Sequence, residues 1–111
     1  MRQARMYVPG NVGEVIDQLN HMLLGAPKFE DKTGYFPNRN LEYDFQQLAG
    51  GLNNVRQALG EERYQELTRM SDRMRALFEA DPEDKTGQTL EGCKILHAME
   101  DILRQAARRR L

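Results

Sequence analysis

Cys93 and His97 stand four residues apart, the spacing that puts two side chains on one face of a helix, and both residue types can ligate zinc. The same pair would suit nucleophilic catalysis, with the imidazole serving as base for the thiol. His21 is the only other histidine, Cys93 is the only cysteine, and nothing around it resembles a protease signature. A half-buried cysteine beside a surface histidine accounts for the pair without any chemistry. Carboxylate pairs for acid–base hydrolysis are abundant because acidic residues are abundant, so spacing singles none out. No glycine loop fits a phosphate: Gly50-Gly51 lies within a helical stripe, and Gly10 and Gly13 lack the flanking pattern. Asp81, Glu83 and Lys85 take the first, third and fifth places of a calcium loop, but lysine cannot ligate calcium. Thr86 also stands where that loop needs glycine. The expectation is therefore a protein with no catalytic residue, no metal and no cofactor.

The densest chemical feature is Glu79-Ala80-Asp81-Pro82-Glu83-Asp84, with four carboxylates in six residues. Glu91 follows closely, and only Lys85 opposes them. The word Glu30-Asp31-Lys32-Thr33-Gly34 recurs as Glu83-Asp84-Lys85-Thr86-Gly87, and each copy reads as a good turn, with Asp capping local backbone and Gly taking positive φ. Such a stretch is either a solvated loop or a docking patch for a basic surface, since charge complementarity steers encounter and selects partners. Glu79, Asp81, Glu83, Asp84, Glu91, Glu30 and Asp31 are the candidate partner-binding residues. For nucleic acid the candidates are Arg56, Arg63, Arg69, Arg73 and Arg75, of which Arg69 and Arg73 share a helix face. Glu66 and Asp72 are interleaved with them, and no helix-turn-helix or zinc-finger signature is present.

The elements that must carry these residues are helical. Leu41, Phe45, Leu48, Leu52, Val55 and Leu59 recur at alternating spacings of four and three, a period of about 3.5 residues that belongs to a helix stripe and not to a strand face. A second stripe follows Gly60: Tyr64, Leu67, Met70 or Ser71, Met74, Leu77 and Phe78. The two stripes are expected to cover each other as a hairpin. Before them, Asn11 and Glu14 form a capping box for a helix over 12–24, ended by Gly25 and Ala26-Pro27. Asn40 or Asn38 caps the second helix, 40–59, and Gly51 falls on its buried stripe, where a missing side chain would admit a neighbouring helix. A bend at Gly50-Gly51 is possible. The third helix spans 61–80 and stops before Pro82. Thr89 or Thr86 opens the fourth, 89–108, with Gly92, Ile95, Leu96, Met99, Ile102, Leu103 and Ala106 as its stripe and Glu100 placed to pair with Arg104. Residues 1–10 read as an irregular leader in which Met1 or Met6 is the start. Residues 25–40 read as a long ordered loop pinned by Phe29, Tyr35 and Phe36. The predicted architecture is all-α, a single-domain bundle of about four helices over 1–111. Leu48, Leu52, Val55, Leu67, Leu77, Ile95, Leu96, Met99 and Leu103 are its expected core.

At 111 residues, with 40% hydrophobic and 30% charged residues, the composition is that of a globular protein that can bury a core without staples. One cysteine allows no internal disulfide, which fits a reducing cytoplasm. No apolar run approaches the ~20 residues of a membrane span, and the N-terminus lacks a signal-peptide core. Six of the sixteen basic residues sit at the ends, leaving ten against seventeen acidic ones in 6–103, a net of −7. An acidic body argues against a body-wide nucleic-acid surface and favours a basic partner.

Leu59-Gly60-Glu61-Glu62-Arg63-Tyr64, Leu77-Phe78-Glu79-Ala80-Asp81-Pro82, the Thr-Gly turn, Glu91-Gly92 and Met99-Glu100-Asp101-Ile102-Leu103 together cover under half the chain. This pattern resembles small helical immunity proteins encoded beside polymorphic or contact-dependent growth-inhibition toxins of bacteria. The resemblance implies a cytoplasmic, non-enzymatic protein that binds one toxin domain tightly and blocks it. Many such toxins are nucleases with basic clefts, which an acidic body would suit. No binding motif is shared across the family, so no binding residue follows from it. The alternative is a nucleic-acid-associated regulator using the Arg face of the third helix and the basic C-terminus. A third reading is a helical scaffold or dimerisation module that buries the second helix's stripe. The gene's neighbourhood would separate these readings.

Overall fold

The computed structural model describes residues 7–30 and 40–108. Five helices follow in order, α1 Val12–Gly25, α2 Leu41–Asn54, α3 Arg56–Leu59, α4 Glu61–Ala80 and α5 Gln88–Arg108, and no strand occurs among the described residues. The fold is an all-α bundle around one core. None of these helices is long and apolar enough to cross a membrane.

Side-chain caps set two of the starts. The Asn11 side chain accepts from Glu14 N at 2.8 Å, and that of Asn40 accepts from Tyr43 N at 2.8 Å, each satisfying an amide the helix leaves open. The capping box closes one residue early: the Glu14 carboxylate accepts from Gly10 N at 2.8 Å and from the Tyr7 hydroxyl. That hydroxyl holds the Glu14 carboxyl below its ordinary range, with the Gly10 amide adding to the effect.

The expected helix over 40–59 is two pieces. The break falls at Val55 (φ −102°, ψ 9°), not at the glycine pair, yet Leu52, Val55 and Leu59 all stay buried. Asn53-Asn54 are weak helix formers, and the Asn54 amide donates to Pro9 O at 2.9 Å. Gly50 and Gly51 have a different role from the one their spacing suggests. What stands nearest to them is the N-terminal strap Tyr7–Gly10. A Cβ on Gly50 would stand 2.8 Å from Val8 Cγ1, and one on Gly51 would stand 3.0 Å from the Pro9 ring. The Gln47 amide fixes the strap from below by donating to Tyr7 O at 2.8 Å.

Gly60 (φ 86°) then turns the chain into α4. Arg56 clamps this corner by pairing with Glu61 and lying 4.3 Å over the Tyr64 ring. The most extensively packed pair is α4 with α5, so the organising hairpin is this one and not the α2–α4 pair of stripes, although α2 and α4 do touch. Seven residues join two long antiparallel helices, whose length maximises their shared face. Gly92 lies against Phe78, and Phe78 meets Phe29 (5.4 Å between centroids) and Phe45 (6.4 Å). Phe29 is fully buried and pins the segment after α1 as expected. Tyr35, Phe36 and Asn38 lie outside the described residues.

Of the expected core, Leu48, Leu52, Val55, Leu67, Leu96, Met99 and Leu103 are buried, while Leu77 and Ile95 are only half-buried. Those two face a groove between α4 and α5. The expected Glu100–Arg104 pair does not form. Glu100 is turned inward at 3% exposure beside Met99 and Leu103, with Oε1 3.1 Å from His97 Nδ1, and Arg104 approaches Asp101 instead, at 3.9 Å.

Candidate protein-docking site

The acidic connection between α4 and α5 is built around one carboxylate that does not face solvent. Asp81 is 2% exposed. Its Oδ1 accepts from Lys85 N (2.7 Å) and Thr86 N (3.1 Å), its Oδ2 accepts from Thr89 N (3.0 Å), and its backbone carbonyl accepts from the Thr89 hydroxyl (3.0 Å). Three amides aimed at one anion, the Thr89 amide strongest among them, lower its pKa from 3.8 to about 2. Neither Thr86 nor Thr89 caps α5 with its own side chain at the N-cap position. Asp81 does the capping from across the turn, and so ties the end of α4 to the start of α5. Asp81 therefore leaves the set of docking carboxylates: it holds the turn together and cannot meet a partner without breaking it.

The remaining described candidates, Glu79, Glu83, Asp84, Glu91 and Glu30, are exposed. Asp31 lies outside the described residues. The structure brings the two loops together: Lys28 Nζ bridges to Glu83 at 3.0 Å, with Glu30 two residues further on. The Glu83 carboxylate raises the Lys28 pKa. Glu79 meets Arg75 at 3.6 Å, and Glu91 meets Lys94 at 3.1 Å. The patch is thus less negative than its sequence suggests, because three of its five carboxylates have a basic neighbour. Asp84 stands at φ 54°, its amide donating to Asp81 O at 3.1 Å, which projects its side chain from the turn.

Two leucines at this end are exposed, features that charge counting missed. Leu24, in the last turn of α1, is 88% exposed, and Leu90, in the first turn of α5, is 59% exposed. The Lys28–Glu83 bridge places both at one end of the bundle. Each occupies an off-stripe position in its helix, and that departure from the periodic pattern was the available signal.

The Cys93–His97 pair lies within α5. Burial pushes the Cys93 thiol above its ordinary range, and the nearby Asp84 charge adds to this, the reverse of what an activated thiolate needs. His97 is exposed and turned to Glu100, while His21 stands on α1 beside a shallow cleft with Tyr7, Glu14 and Asp17. Among the described residues, no group of three or more His, Cys, Asp or Glu side chains is placed to hold a metal ion. What this end of the molecule offers is a rigid turn carrying charged and apolar side chains. Compared with known proteins, the chain matches no family model, no curated protein and no solved structure.

Proposed function

We propose that this protein is a non-enzymatic binding protein of the bacterial cytoplasm, an immunity protein that neutralises a cognate toxin by covering its active site or substrate cleft. The observation that carries the reading is the end of the bundle where the exposed carboxylates Glu30, Glu79, Glu83, Asp84 and Glu91 occur together with the exposed Leu24 and Leu90. Apolar anchors inside a polar, charged margin are the anatomy of a protein interface. The Asp81 lock supports it further, since a turn already ordered loses less conformational entropy on docking than a free segment does. A basic toxin domain, such as a nuclease, complements the surplus of carboxylates.

The test starts from the gene's neighbourhood, where the reading expects a secreted toxin domain, and co-expresses that domain with this protein. Wild-type protein should restore growth and inhibit the purified toxin at a one-to-one ratio. Reversing Glu83 and Asp84 to Lys should weaken binding, chiefly by slowing association and flattening its salt dependence. Reversing Glu62 and Glu66, exposed on α4 away from this end, should change neither. Cys93→Ser and His97→Ala should leave neutralisation intact. Failure to rescue, or rescue indifferent to the Glu83/Asp84 reversal with helicity preserved, refutes the assignment of this face.

A further inference from the structure

Between α4 and α5 runs an open groove of about 330 Å³, floored by half-buried Met70, Leu77 and Ile95 and by exposed Ala98. Its rim holds Arg73, Glu91 and Lys94. Glu91 is paired with Lys94 at 3.1 Å, so the lining keeps one positive charge uncompensated, on Arg73, which makes no ion pair among the described residues. In a chain whose body is otherwise acidic, this is a local reversal of sign beside uncovered apolar surface.

We propose that this groove receives an amphipathic helix of a partner protein, with its apolar side chains on the floor and a carboxylate flank against Arg73. Spacing carries the helical part. Met70 and Leu77 are seven residues apart on α4, about 10.5 Å along the axis at 1.5 Å per residue. A docked helix lying nearly parallel repeats that interval with its own residues i and i+7, and its i+3 and i+4 residues fill the space between. Charge carries the rest. A second copy of this chain would set the same net-positive rim against itself. Nucleic acid would gain nothing from the apolar floor of Met70, Leu77 and Ile95. A small ligand would remain largely solvated in so open a cleft, whereas ligand pockets enclose most of their guest. The inference does not rest on the toxin reading: the two share Glu91 at the start of α5, but Glu83 and Asp84 lie on the turn and Arg73 in the groove, so the Glu83/Asp84 reversal and the Arg73 variants report on them separately.

The experiment uses the full chain, labelled for NMR, and two synthetic helical peptides with leucines at i, i+3, i+4 and i+7, one flanked by Glu and the other by Lys. The Glu peptide should shift the amides of Met70, Leu77, Ile95 and Ala98 and bind at least tenfold tighter than the Lys peptide. Ala98→Glu, an exposed helical position, should weaken it at least tenfold. Arg73→Glu should invert the preference towards the Lys peptide, which a merely structural arginine would not do. Circular dichroism checks that both variants fold, and Arg73→Gln, which should erase the preference without inverting it, replaces any that does not. Equal affinity for the two peptides, shifts located elsewhere, or no binding at millimolar peptide overturns the proposal. So does a dimer in sedimentation that Ala98→Glu dissolves, which would make the occupant a second copy, or a stronger response to dodecanoate, which would make it a small amphiphile.

Discussion

Gly92→Ala should destabilise the protein although it improves the helix. Within α5, replacing glycine by alanine is worth about 1 kcal/mol in helix propensity. The new methyl would stand 2.5 Å from Phe78 Cε1 and 2.9 Å from Cζ, well inside contact distance. Phe78 has no room to retreat: it is fully buried, edge-on to Phe29 at 5.4 Å and tilted against Phe45 at 6.4 Å. Forcing extra methyl volume into a packed core costs typically 1–3 kcal/mol, and disturbing an aromatic pair forfeits a further ~0.5–1.5 kcal/mol. The steric terms outweigh the propensity gain, for a net loss of roughly 0.5–3.5 kcal/mol. Urea unfolding should show a lower midpoint at an unchanged slope, and thermal unfolding a Tm lower by about 4–8 °C per kcal/mol for a domain near this size. Phe78→Leu makes room for the methyl, so in its background Gly92→Ala should cost much less, a coupling of at least ~0.5 kcal/mol. Stabilisation by Gly92→Ala, or strict additivity of the two changes, would refute the claim that the α4–α5 spacing is set by this contact.

Leu52→Ala should cost roughly 2–5 kcal/mol, as truncations at fully buried positions do, and a loss under about 0.5 kcal/mol would mean the α2 stripe does not support the core. Asp81→Asn should weaken the fold at neutral pH, because an amide presents its own donors to a site made of donors. The folded-state pKa of Asp81 is depressed, so its contribution is complete above 3.8 and disappears as pH falls towards about 2. The stability gap between wild type and variant should therefore close across that interval in acid titrations followed by circular dichroism, and a constant gap would sink the reasoning. Glu100→Gln should change stability by no more than about 1 kcal/mol, since it keeps the Oε1 contact with His97 and alters only Oε2, which is buried with no hydrogen-bond partner among the described residues. A larger loss in denaturant unfolding would instead show that the charge in the contact with His97 is stabilising.

Much of the fold was legible because burial acts on helices through a simple period. The stripe from Leu41 to Leu59 survives the break at Val55, since one residue outside helical geometry shifts the axis without turning Leu59 from the core. Asn11 and Asn40 were readable as caps because an extended residue with a short acceptor is the cheapest way to satisfy free amides. Leu77 and Ile95 were misjudged for a related reason. Periodicity reports which side of a helix is apolar, whereas the width of that side that a neighbour actually covers depends on where the neighbour lies. Gly50 and Gly51 show the same limit: spacing correctly marks a close approach at Gly51, but the visitor is the Val8–Pro9 strap some forty residues earlier in the chain, and no local pattern names it.

The candidate site was legible in composition and misleading in detail, and Asp81 explains why. Six neighbouring residues with four carboxylates look uniformly solvated, because a sequence records charge but not direction. A turn between two long helices leaves several backbone amides without partners, those that open α5 among them, and one acidic side chain must face inward to meet them. Asp81 precedes Pro82, which disfavours helical backbone at Asp81, so the chain leaves α4 there with a carboxylate close to the amides that need it. Glu83 and Asp84, one turn later, then project outward because Asp81 has closed the turn beneath them. The same inward carboxylate that removes one candidate from the docking surface orders the two that remain most prominent, so the surface and its lock are one feature of the fold. A partner that reads Glu83 and Asp84 should therefore lose affinity for Asp81→Asn without touching Asp81 at all, and unchanged affinity in that variant would mean that the turn is not what it recognises.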